Sequence, residues 1–278
     1  MSRIAARFAA LQAEGRGGLI PYICAGDPDL ETSQAIVDGL PAAGADLIEL
    51  GAPFSDPTAD GPTIQIASRR ARQAGGSLRA TLEMARAFRT KDAETPLIVM
   101  GYYNPLYAMG PAKAAQAAAD AGVDGLIVVD LPPEEAGEFT PALAEAGVDL
   151  IRLSAPTSDD ARLDVILNGA TGFLYYVAVL GVTGGASADA AVLQTAVTRL
   201  KRKTTLPVAV GFGIKQPIQA AATAQIADAA VVGSALCETI GAHLDDAGRA
   251  QDGLVDAVLS QTRALADAVR AARAQAAQ

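Results

Sequence analysis

Histidine, lysine and cysteine are scarce in this sequence of 278 residues, and each scarcity excludes a kind of chemistry. With His243 as the only histidine, a His-rich zinc site or a histidine-based catalytic triad is unavailable. The few lysines all lie outside the predicted strands, which argues against a Schiff-base mechanism. Cys24 and Cys237 lie in or beside apolar segments without C-x-x-C spacing, so we expect free buried thiols in a reducing compartment.

Long apolar runs and net positive charge are also absent. No uninterrupted apolar stretch is long enough to cross a bilayer, and the formal net charge of −9 argues against nucleic acid and membrane surfaces as partners. Residues 1–14 are amphipathic and contain arginine, but they lack the apolar core of a signal sequence and include Glu14. We therefore expect a short structural helix rather than a transit peptide, and a cytoplasmic location.

The sequence instead alternates short apolar runs with longer alanine-rich stretches of helical period. The apolar runs predict strands at residues 19–24, 47–51, 97–101, 125–129, 150–153, 173–178, 207–211 and 228–232. The stretches between them predict helices at residues 31–43, 77–89, 111–121, 133–146, 159–167, 188–203 and 216–224. The motif A-G-[AV]-D, in which a glycine ends a helix and an aspartate begins the next strand, recurs at residues 43–46, 121–124 and 146–149.

Short connections between alternating strands and helices require parallel strands and right-handed crossovers. Eight such units fit a closed (β/α)8 barrel of the TIM type, whose usual length is about 250 residues. An open doubly wound sheet is the alternative, although such sheets usually have fewer strands. No linker or change of composition interrupts the pattern, so we expect one domain over residues 1–278, with an added N-terminal helix at 1–14 and a C-terminal helix and tail at 254–278.

Residues 46–65 (DLIELGAPFSDPTADGPTIQ) carry the two carboxylates on which the functional prediction depends. Glu49 interrupts an apolar strand, and a carboxylate is costly to bury there unless it is paired or used. Asp60 follows in a loop whose backbone is restricted by prolines. Because active sites of this barrel class lie at the carboxyl ends of the strands, we predict that Glu49 and Asp60 form a general acid–base pair. The alternative is that Glu49 pairs with an arginine and Asp60 caps a loop.

Glycines in the last three loops that follow strands predict a phosphate site. Gly184, Gly213 and Gly233 leave backbone N–H groups open to an anion. Ser234 adds a hydroxyl donor at the start of a short helix. The loops after strands seven and eight are the usual phosphate position in this fold, whereas ordinary turns are the competing interpretation of the glycines.

Aromatic side chains gather at the same ends of the predicted strands. Four of the six tyrosines and six phenylalanines fall there: Tyr22, Tyr102, Tyr175 and Phe212. Such clustering favours the binding of a flat apolar ring over simple core packing. Composition and spacing alone thus predict a barrel enzyme without a cofactor, which acts on a phosphorylated aromatic compound through two carboxylates.

The segment PFSDPTADGPTIQ at residues 53–65 resembles the motif PFSDPLADGPTIQ of the tryptophan synthase alpha subunit, with Thr58 in place of leucine. Supporting matches are YYNP at 102–105, GVTG at 181–184 and GFGI at 211–214. The resemblance covers nearly the whole chain. Tyr22 departs from it, since phenylalanine is common at that position.

This resemblance implies a retro-aldol cleavage of indole-3-glycerol phosphate to indole and glyceraldehyde 3-phosphate. It implies that Asp60 takes or stabilises the indole N–H proton, and that Glu49 handles protons at indole C3 and at the glycerol hydroxyl. It places Tyr175 near the substrate and Thr183 on a loop that closes over it. The other substrate-binding positions that it implies are Tyr22, Met100, Tyr102, Ile127, Val129 and Phe212.

The resemblance also implies a partner, a beta subunit that carries pyridoxal phosphate (PLP) and consumes the indole in an alpha2beta2 heterotetramer. Neither a cofactor nor a metal is then expected in this chain. The implied contact surface includes a rigid, exposed segment at 53–57, and its residues are Pro53, Asp56, Pro57, Asn104, Pro132 and Gly181. Two alternatives stay open: another phosphate-binding barrel enzyme of aromatic amino-acid biosynthesis, and a non-catalytic alpha-like subunit that regulates its partner.

Overall fold

Eight parallel strands close into a barrel in the computed structural model, which describes residues 2–178, 190–211 and 213–276. The strands are β1 (Gly18–Cys24), β2 (Ile48–Gly51), β3 (Leu97–Gly101), β4 (Gly125–Val128), β5 (Asp149–Ser154), β6 (Leu174–Val177), β7 (Val208–Gly211) and β8 (Ala229–Val232). Each strand pairs with the next in chain order, and β8 closes the barrel against β1. The predicted (β/α)8 fold class is confirmed.

Helices form the outer layer of the barrel. They are α1 (Arg3–Ala13), α2 (Leu30–Gly39), α3 (Pro62–Gln73), α4 (Leu78–Arg89), α5 (Tyr103–Met109), α6 (Pro111–Asp120), α7 (Phe139–Ala146), α8 (Asp160–Leu167), α9 (Ala190–Lys203), α10 (Pro217–Ile226), α11 (Ser234–Ala242) and α12 (Leu254–Ala276). None of these helices is both long and apolar enough to cross a membrane.

The prediction of one helix over residues 133–146 is wrong at its start. A 3-10 turn at Pro133–Glu135 comes first, and α7 begins only at Phe139. Gly137 lies between the two, and glycine is a poor helix former because it loses much backbone freedom on folding.

The interior of the barrel is filled by side chains that alternate along the strands, and α1 packs against its N-terminal end. Ile98 of β3 belongs to the interior cluster, whereas the next residue, Val99, belongs to the layer between strands and helices. Phe8 of α1 lies in the same interior cluster, with its ring 5.6 Å from that of Phe173. Because this end of the barrel is filled, a ligand site has to open at the other end.

Two of the three aspartates of the repeated A-G-[AV]-D motif, Asp46 and Asp124, stabilise the N-terminal ends of the strands. The Leu19 N–H donates a hydrogen bond to Asp46 at 2.9 Å, and the Leu97 N–H donates one to Asp124 at 2.8 Å. In each case the carboxylate satisfies a buried backbone donor of the preceding strand. The motif therefore has a structural role, at the face of the barrel where stability is usually determined.

Asp124 also pairs with Arg3 at 2.8 Å and with Arg89 at 2.6 Å, and it is nearly fully buried. In Asp124→Ala two guanidinium groups lose their carboxylate partner and a strand N–H loses its acceptor, so we expect the free energy of unfolding to fall by about 3–5 kcal/mol. Urea denaturation measures the change. The control is Asp164→Ala, whose carboxylate is exposed beside Lys203 and contributes little. Equal stability of the two variants would contradict this structural role.

Candidate functional site

A cavity of about 450 Å³ lies at the carboxyl ends of the strands, at the end of the barrel opposite α1. The predicted site residues that line it are Tyr22, Glu49, Asp60, Met100, Val129, Tyr175, Gly213, Gly233 and Ser234. The predictions for Gly181, Thr183, Gly184 and Phe212 fall outside the described residues. The fold therefore brings carboxylates, tyrosines and loop glycines, which are distant in sequence, around one space.

Glu49 lies in β2, where it pairs in register with Tyr22 of β1. It is 1% exposed, and its Oε2 atom has no hydrogen-bond partner among the residues that the structure describes. Burial, and secondarily the negative charge of Asp60, raises the pKa of Glu49 to about 8. No cation contributes to this shift, so no arginine in the described part of the chain supports the ion-pair alternative. Glu49 accordingly keeps its proton at neutral pH and is able to donate it.

Asp60 lies in the loop between β2 and α3, where Tyr102 holds it. The Tyr102 hydroxyl donates a hydrogen bond to Asp60 Oδ2 at 3.0 Å and accepts one from the Ala59 N–H at 2.9 Å. The Tyr102 ring stacks on Phe54, with the ring centroids 4.8 Å apart. Burial raises the pKa of Asp60, and the hydrogen bond from Tyr102 opposes this shift. The tyrosine thus fixes the position of a loop carboxylate and favours its charged form.

Two residues expected in the pocket wall lie behind it. Tyr102 is the N-cap of α5 and is 6% exposed, and Ile127 belongs to the interior cluster of the barrel. Both line a separate space of only about 20 Å³. The start of α5 directly after β3 places the Tyr102 ring against Phe54.

Two glycines allow Tyr22 and Tyr175 to lie across the ends of neighbouring strands. A Cβ atom at Gly51 would lie 2.1 Å from the Tyr22 hydroxyl, and one at Gly211 would lie 2.2 Å from the Tyr175 hydroxyl. Any larger residue at either position would have to displace the ring. The glycines therefore determine where β1 and β6 place the two aromatic walls of the cavity.

Another part of the cavity wall is rich in hydrogen-bond donors. Gly213 follows β7, and Gly233 and Ser234 follow β8, where α11 begins. The first N–H groups of a helix have no partner within it, and they carry the positive end of the helix dipole. Together with the Ser234 hydroxyl, they are suited to an anion such as a phosphate.

Sequence reasoning missed the contribution of β5 and the loop after it. Leu153, Ser154, Ser158 and Arg162 also line the cavity. The hydroxyl of Ser154 is buried and has no hydrogen-bond partner within the described ranges. The signal was available, because Ser154 directly follows the strand predicted at residues 150–153, on the same rim as Glu49. Among the described residues no group of three or more His, Cys, Asp and Glu side chains is arranged to hold a metal ion.

The residues expected at a partner surface differ in their exposure. Asp56, Asn104 and Pro132 are exposed, and Pro57 is half-buried. Pro53 is buried, so the expectation that the whole 53–57 segment is exposed is wrong. Its ring packs against the backbone turn at Gly76, where an added Cβ atom would approach Pro53 to 3.0 Å. The exposed residues therefore lie on the loop after β2, on α5 and on the segment after β4.

Comparison with known proteins places the chain among relatives of one kind. A family model described as tryptophan synthase alpha chain matches residues 8–269. The tryptophan synthase alpha chain of Granulibacter bethesdensis is 58% identical over 276 residues, which cover 99% of each chain. That of Gluconacetobacter diazotrophicus is 57% identical over 273 residues, which cover 98% of this chain and 100% of the relative.

Solved structures agree with this similarity. The crystal structure of tryptophan synthase subunit alpha from Legionella pneumophila is 39% identical, with a TM-score of 0.88, and the match covers 97% of this chain and 98% of that one. A structure of Mycobacterium tuberculosis tryptophan synthase contains a chain that is 36% identical, with a TM-score of 0.87 and coverage of 97% and 99%.

The coupling between the two carboxyl groups is measurable in a variant. In Asp60→Asn the pKa of Glu49 should fall below about 8, because one cause of its rise is removed. It should stay above its ordinary value of 4.5, because burial remains the larger cause. Carbon-13 NMR of labelled glutamate side chains between pH 4 and pH 10 follows the titration, and Glu49→Gln assigns the signal. An unchanged pKa in Asp60→Asn would show that the two groups do not interact.

The same shift affects stability in a defined direction. Folded Glu49 keeps its proton up to about pH 8, whereas in the unfolded chain it loses the proton near its ordinary value of 4.5. The wild type therefore loses stability relative to Glu49→Gln as the pH rises through this window, by up to about 1.4 kcal/mol per pH unit. Urea denaturation of both proteins at several pH values measures the difference, and a constant difference would contradict the raised pKa.

Proposed function

The chain belongs to the tryptophan synthase alpha chain family, and from this premise we propose that it cleaves indole-3-glycerol phosphate to indole and glyceraldehyde 3-phosphate. One observation carries the proposal. A single cavity holds a buried, protonated Glu49, the loop carboxylate Asp60, and the donor-rich wall at Gly233 and Ser234. These are the groups that a retro-aldol cleavage of a phosphorylated indole derivative requires.

The raised pKa of Glu49 suits it to act first as an acid. We propose that Glu49 donates its proton to indole C3 while Asp60 takes the indole N–H proton or stabilises the positive charge at the nitrogen. The Glu49 carboxylate then accepts the proton of the glycerol hydroxyl. The carbon–carbon bond breaks, its electrons restore the ring, and the nitrogen regains its proton. Glu49 ends protonated, as it began, so the cycle needs no external acid or base.

The proposed proton transfers depend on the burial of Glu49 and Asp60. Each positioned proton transfer supplies on the order of 10²–10⁴ in rate, or about 3–5 kcal/mol of barrier. Water in the cavity would lower the pKa of Glu49 and screen the charge of Asp60. Tyr22, Met100 and Tyr175 support the proposal because they supply an apolar and aromatic wall for the indole ring. Thr183 and Phe212 keep the substrate-binding roles that the family resemblance implies.

We further propose that the chain works with a PLP-containing beta subunit in an alpha2beta2 assembly in the cytoplasm, and that it needs no cofactor of its own. Asp56, Asn104 and Pro132 support this surface because they are exposed on the segments that follow β2, β3 and β4, at the end of the barrel where the cavity lies. Asp56 and Asp60 share one loop. A partner that contacts Asp56 would therefore change the position of the Asp60 carboxylate, whose Oδ2 atom lies 3.0 Å from the Tyr102 hydroxyl.

Three variants test the proton transfers. Glu49→Gln and Asp60→Asn should each lower kcat for indole release by about 10² or more, since each removes a proton-transferring group. Tyr102→Phe should lower it by about tenfold to a hundredfold, because it removes one hydrogen bond to a charged group. A colorimetric assay of indole gives the rates, and circular dichroism confirms the fold.

The matched control is Asp164→Asn, which changes an exposed carboxylate far from the cavity and should keep full activity. Near-normal turnover in both Glu49→Gln and Asp60→Asn would exclude the proposed mechanism.

Titration with a beta subunit of the same family tests the partner. The rate of indole-3-glycerol phosphate cleavage should rise to a plateau about tenfold or more above that of the isolated chain. A tenfold rise corresponds to a fall of about 1.4 kcal/mol in the activation free energy of the cleavage. Asp56→Ala and Asn104→Ala should shift the titration to higher beta-subunit concentrations. If the rate stays flat throughout the titration, the proposed partner is wrong.

A further inference from the structure

A second cavity, of about 280 Å³, lies beside the ends of β4 and β5 and next to α8. Its apolar walls include Val128, Leu131, Leu150 and Ile166, and its charged residues are Asp130, Arg152 and Arg162. Arg162, on α8, also lines the larger cavity. The two cavities are thus neighbours, and neither Glu49 nor Asp60 lines the smaller one.

Arg152 is the residue of this cavity that the fold leaves unexplained. It lies within β5 between Ile151 and Leu153, both of which pack in the interior of the barrel. Period-two alternation therefore directs Arg152 outward, toward the helices. Arg152 is only 5% exposed. Arginine is almost never buried to this extent unless it is paired.

The guanidinium of Arg152 has little to pair with among the described residues. Its Nη1 atom reaches the Leu131 carbonyl at 3.5 Å, which is at the limit of a hydrogen bond. Its Nε atom has no hydrogen-bond partner. Burial lowers the pKa of Arg152, and only the distant charge of Glu134 opposes this. A buried cation in this state is destabilising until an anion reaches it.

The two acids near the cavity are engaged with other groups. Asp130 accepts a hydrogen bond from the Tyr103 N–H at 2.7 Å. Glu134 forms its ion pair with Arg162. Neither forms a salt bridge with Arg152 in the described part of the chain. No carboxylate among the described residues neutralises Arg152, so its guanidinium is able to pair with an anion from outside this part of the protein.

The size and the lining of the cavity indicate which kind of anion it is able to bind. An arginine Nε atom and its neighbouring Nη atom form a planar fork that matches the two oxygens of a carboxylate. The volume is close to the lower end of small-molecule pockets, about 300 Å³. The lining also includes the aliphatic side chains of Val128, Leu131, Leu150 and Ile166, which suit an apolar body attached to the carboxylate.

We propose that this cavity is a second ligand site, which binds a small organic carboxylate. The carboxylate pairs with Arg152, and the apolar body of the ligand packs against Leu131, Leu150 and Ile166. Because Arg162 lines both cavities, an occupant here lies one side chain away from the larger cavity. The site does not depend on the proposed lyase reaction, and its occupancy is measurable without turnover.

The test uses 4-bromobenzoate as the probe. In crystals soaked with it, the anomalous signal of bromine should locate the ring between Leu131 and Ile166, with the carboxylate within hydrogen-bond distance of Arg152. In solution, ligand-observed NMR should show saturable binding to the full-length wild type. Arg152→Met should weaken that binding by about tenfold or more, because the charge-assisted bidentate pair is lost. The neutral analogue 4-bromobenzamide should not bind.

Two further variants separate binding from folding. Arg152→Lys keeps the charge but loses the planar fork, so its affinity should lie between those of the wild type and Arg152→Met. Arg199→Met removes an arginine whose ion pair with Asp160 lies outside both cavities, and it should bind the probe as the wild type does. Thermal unfolding of each variant reports the fold. If Arg152→Met does not fold, Arg152→Lys and the neutral amide decide the outcome.

Several results would overturn the proposal. These are a bromine peak elsewhere, a peak in the crystal without saturable binding in solution, and equal binding by the wild type and the folded Arg152 variants. The proposal is also wrong if the wild type binds no probe. In that event the Arg152 variants are compared with the wild type for weaker association with a beta subunit. Weaker association would show that the anion is a side chain of the partner.

Discussion

Glu49 is 1% exposed, and no cation in the described part of the chain contributes to its pKa, so its proton is retained only while the surrounding wall excludes water. This condition explains the rest of the site. Tyr22 and Tyr175 close the wall without adding positive charge, and their positions depend on glycines in neighbouring strands. Asp60 is held by a hydrogen bond from Tyr102, and its negative charge adds to the effect of burial in raising the pKa of Glu49. A lysine placed in this wall would ionise Glu49 and remove the proton that the proposed chemistry needs.

The buried Glu49 carboxyl group destabilises one end of the barrel, whereas paired charges stabilise the other end. At the N-terminal face, Asp46 and Asp124 accept hydrogen bonds from strand N–H groups, and Asp124 also pairs with Arg3 and Arg89. The ring of Phe8 fills the interior beside Phe173. Buried charge is thus paired where the fold is held together, whereas Glu49 is left unpaired at the cavity. The two ends are separated by the interior cluster, so a substitution in the cavity need not disturb the paired end.

The sequence predicted what depends on chain order and period. Alternating strands and helices implied the barrel, and position at a strand end identified Glu49 and Ser234, because all the strand ends of a parallel barrel meet on one rim. It did not predict what depends on side-chain direction. Tyr102 is at a strand end, yet the start of α5 directs its ring onto Phe54. Pro53 is buried because the chain folds back at Gly76, a long-range contact that no local pattern reveals. Arg152 likewise lacks a carboxylate partner because Asp130 and Glu134 bind other groups, which the sequence does not reveal.

The contacts between Gly51 and Tyr22, and between Gly211 and Tyr175, restrict the order in which the pocket is able to diverge. An alanine introduced first at either glycine would place a carbon atom little more than 2 Å from a tyrosine oxygen. If the tyrosine is first replaced by a smaller residue, the glycine becomes free to vary. When the aromatic wall of the cavity changes in evolution, the tyrosine therefore has to be replaced before the glycine. A mutant library that varies one position at a time would score both glycines as invariant, although their restriction belongs to the neighbouring rings.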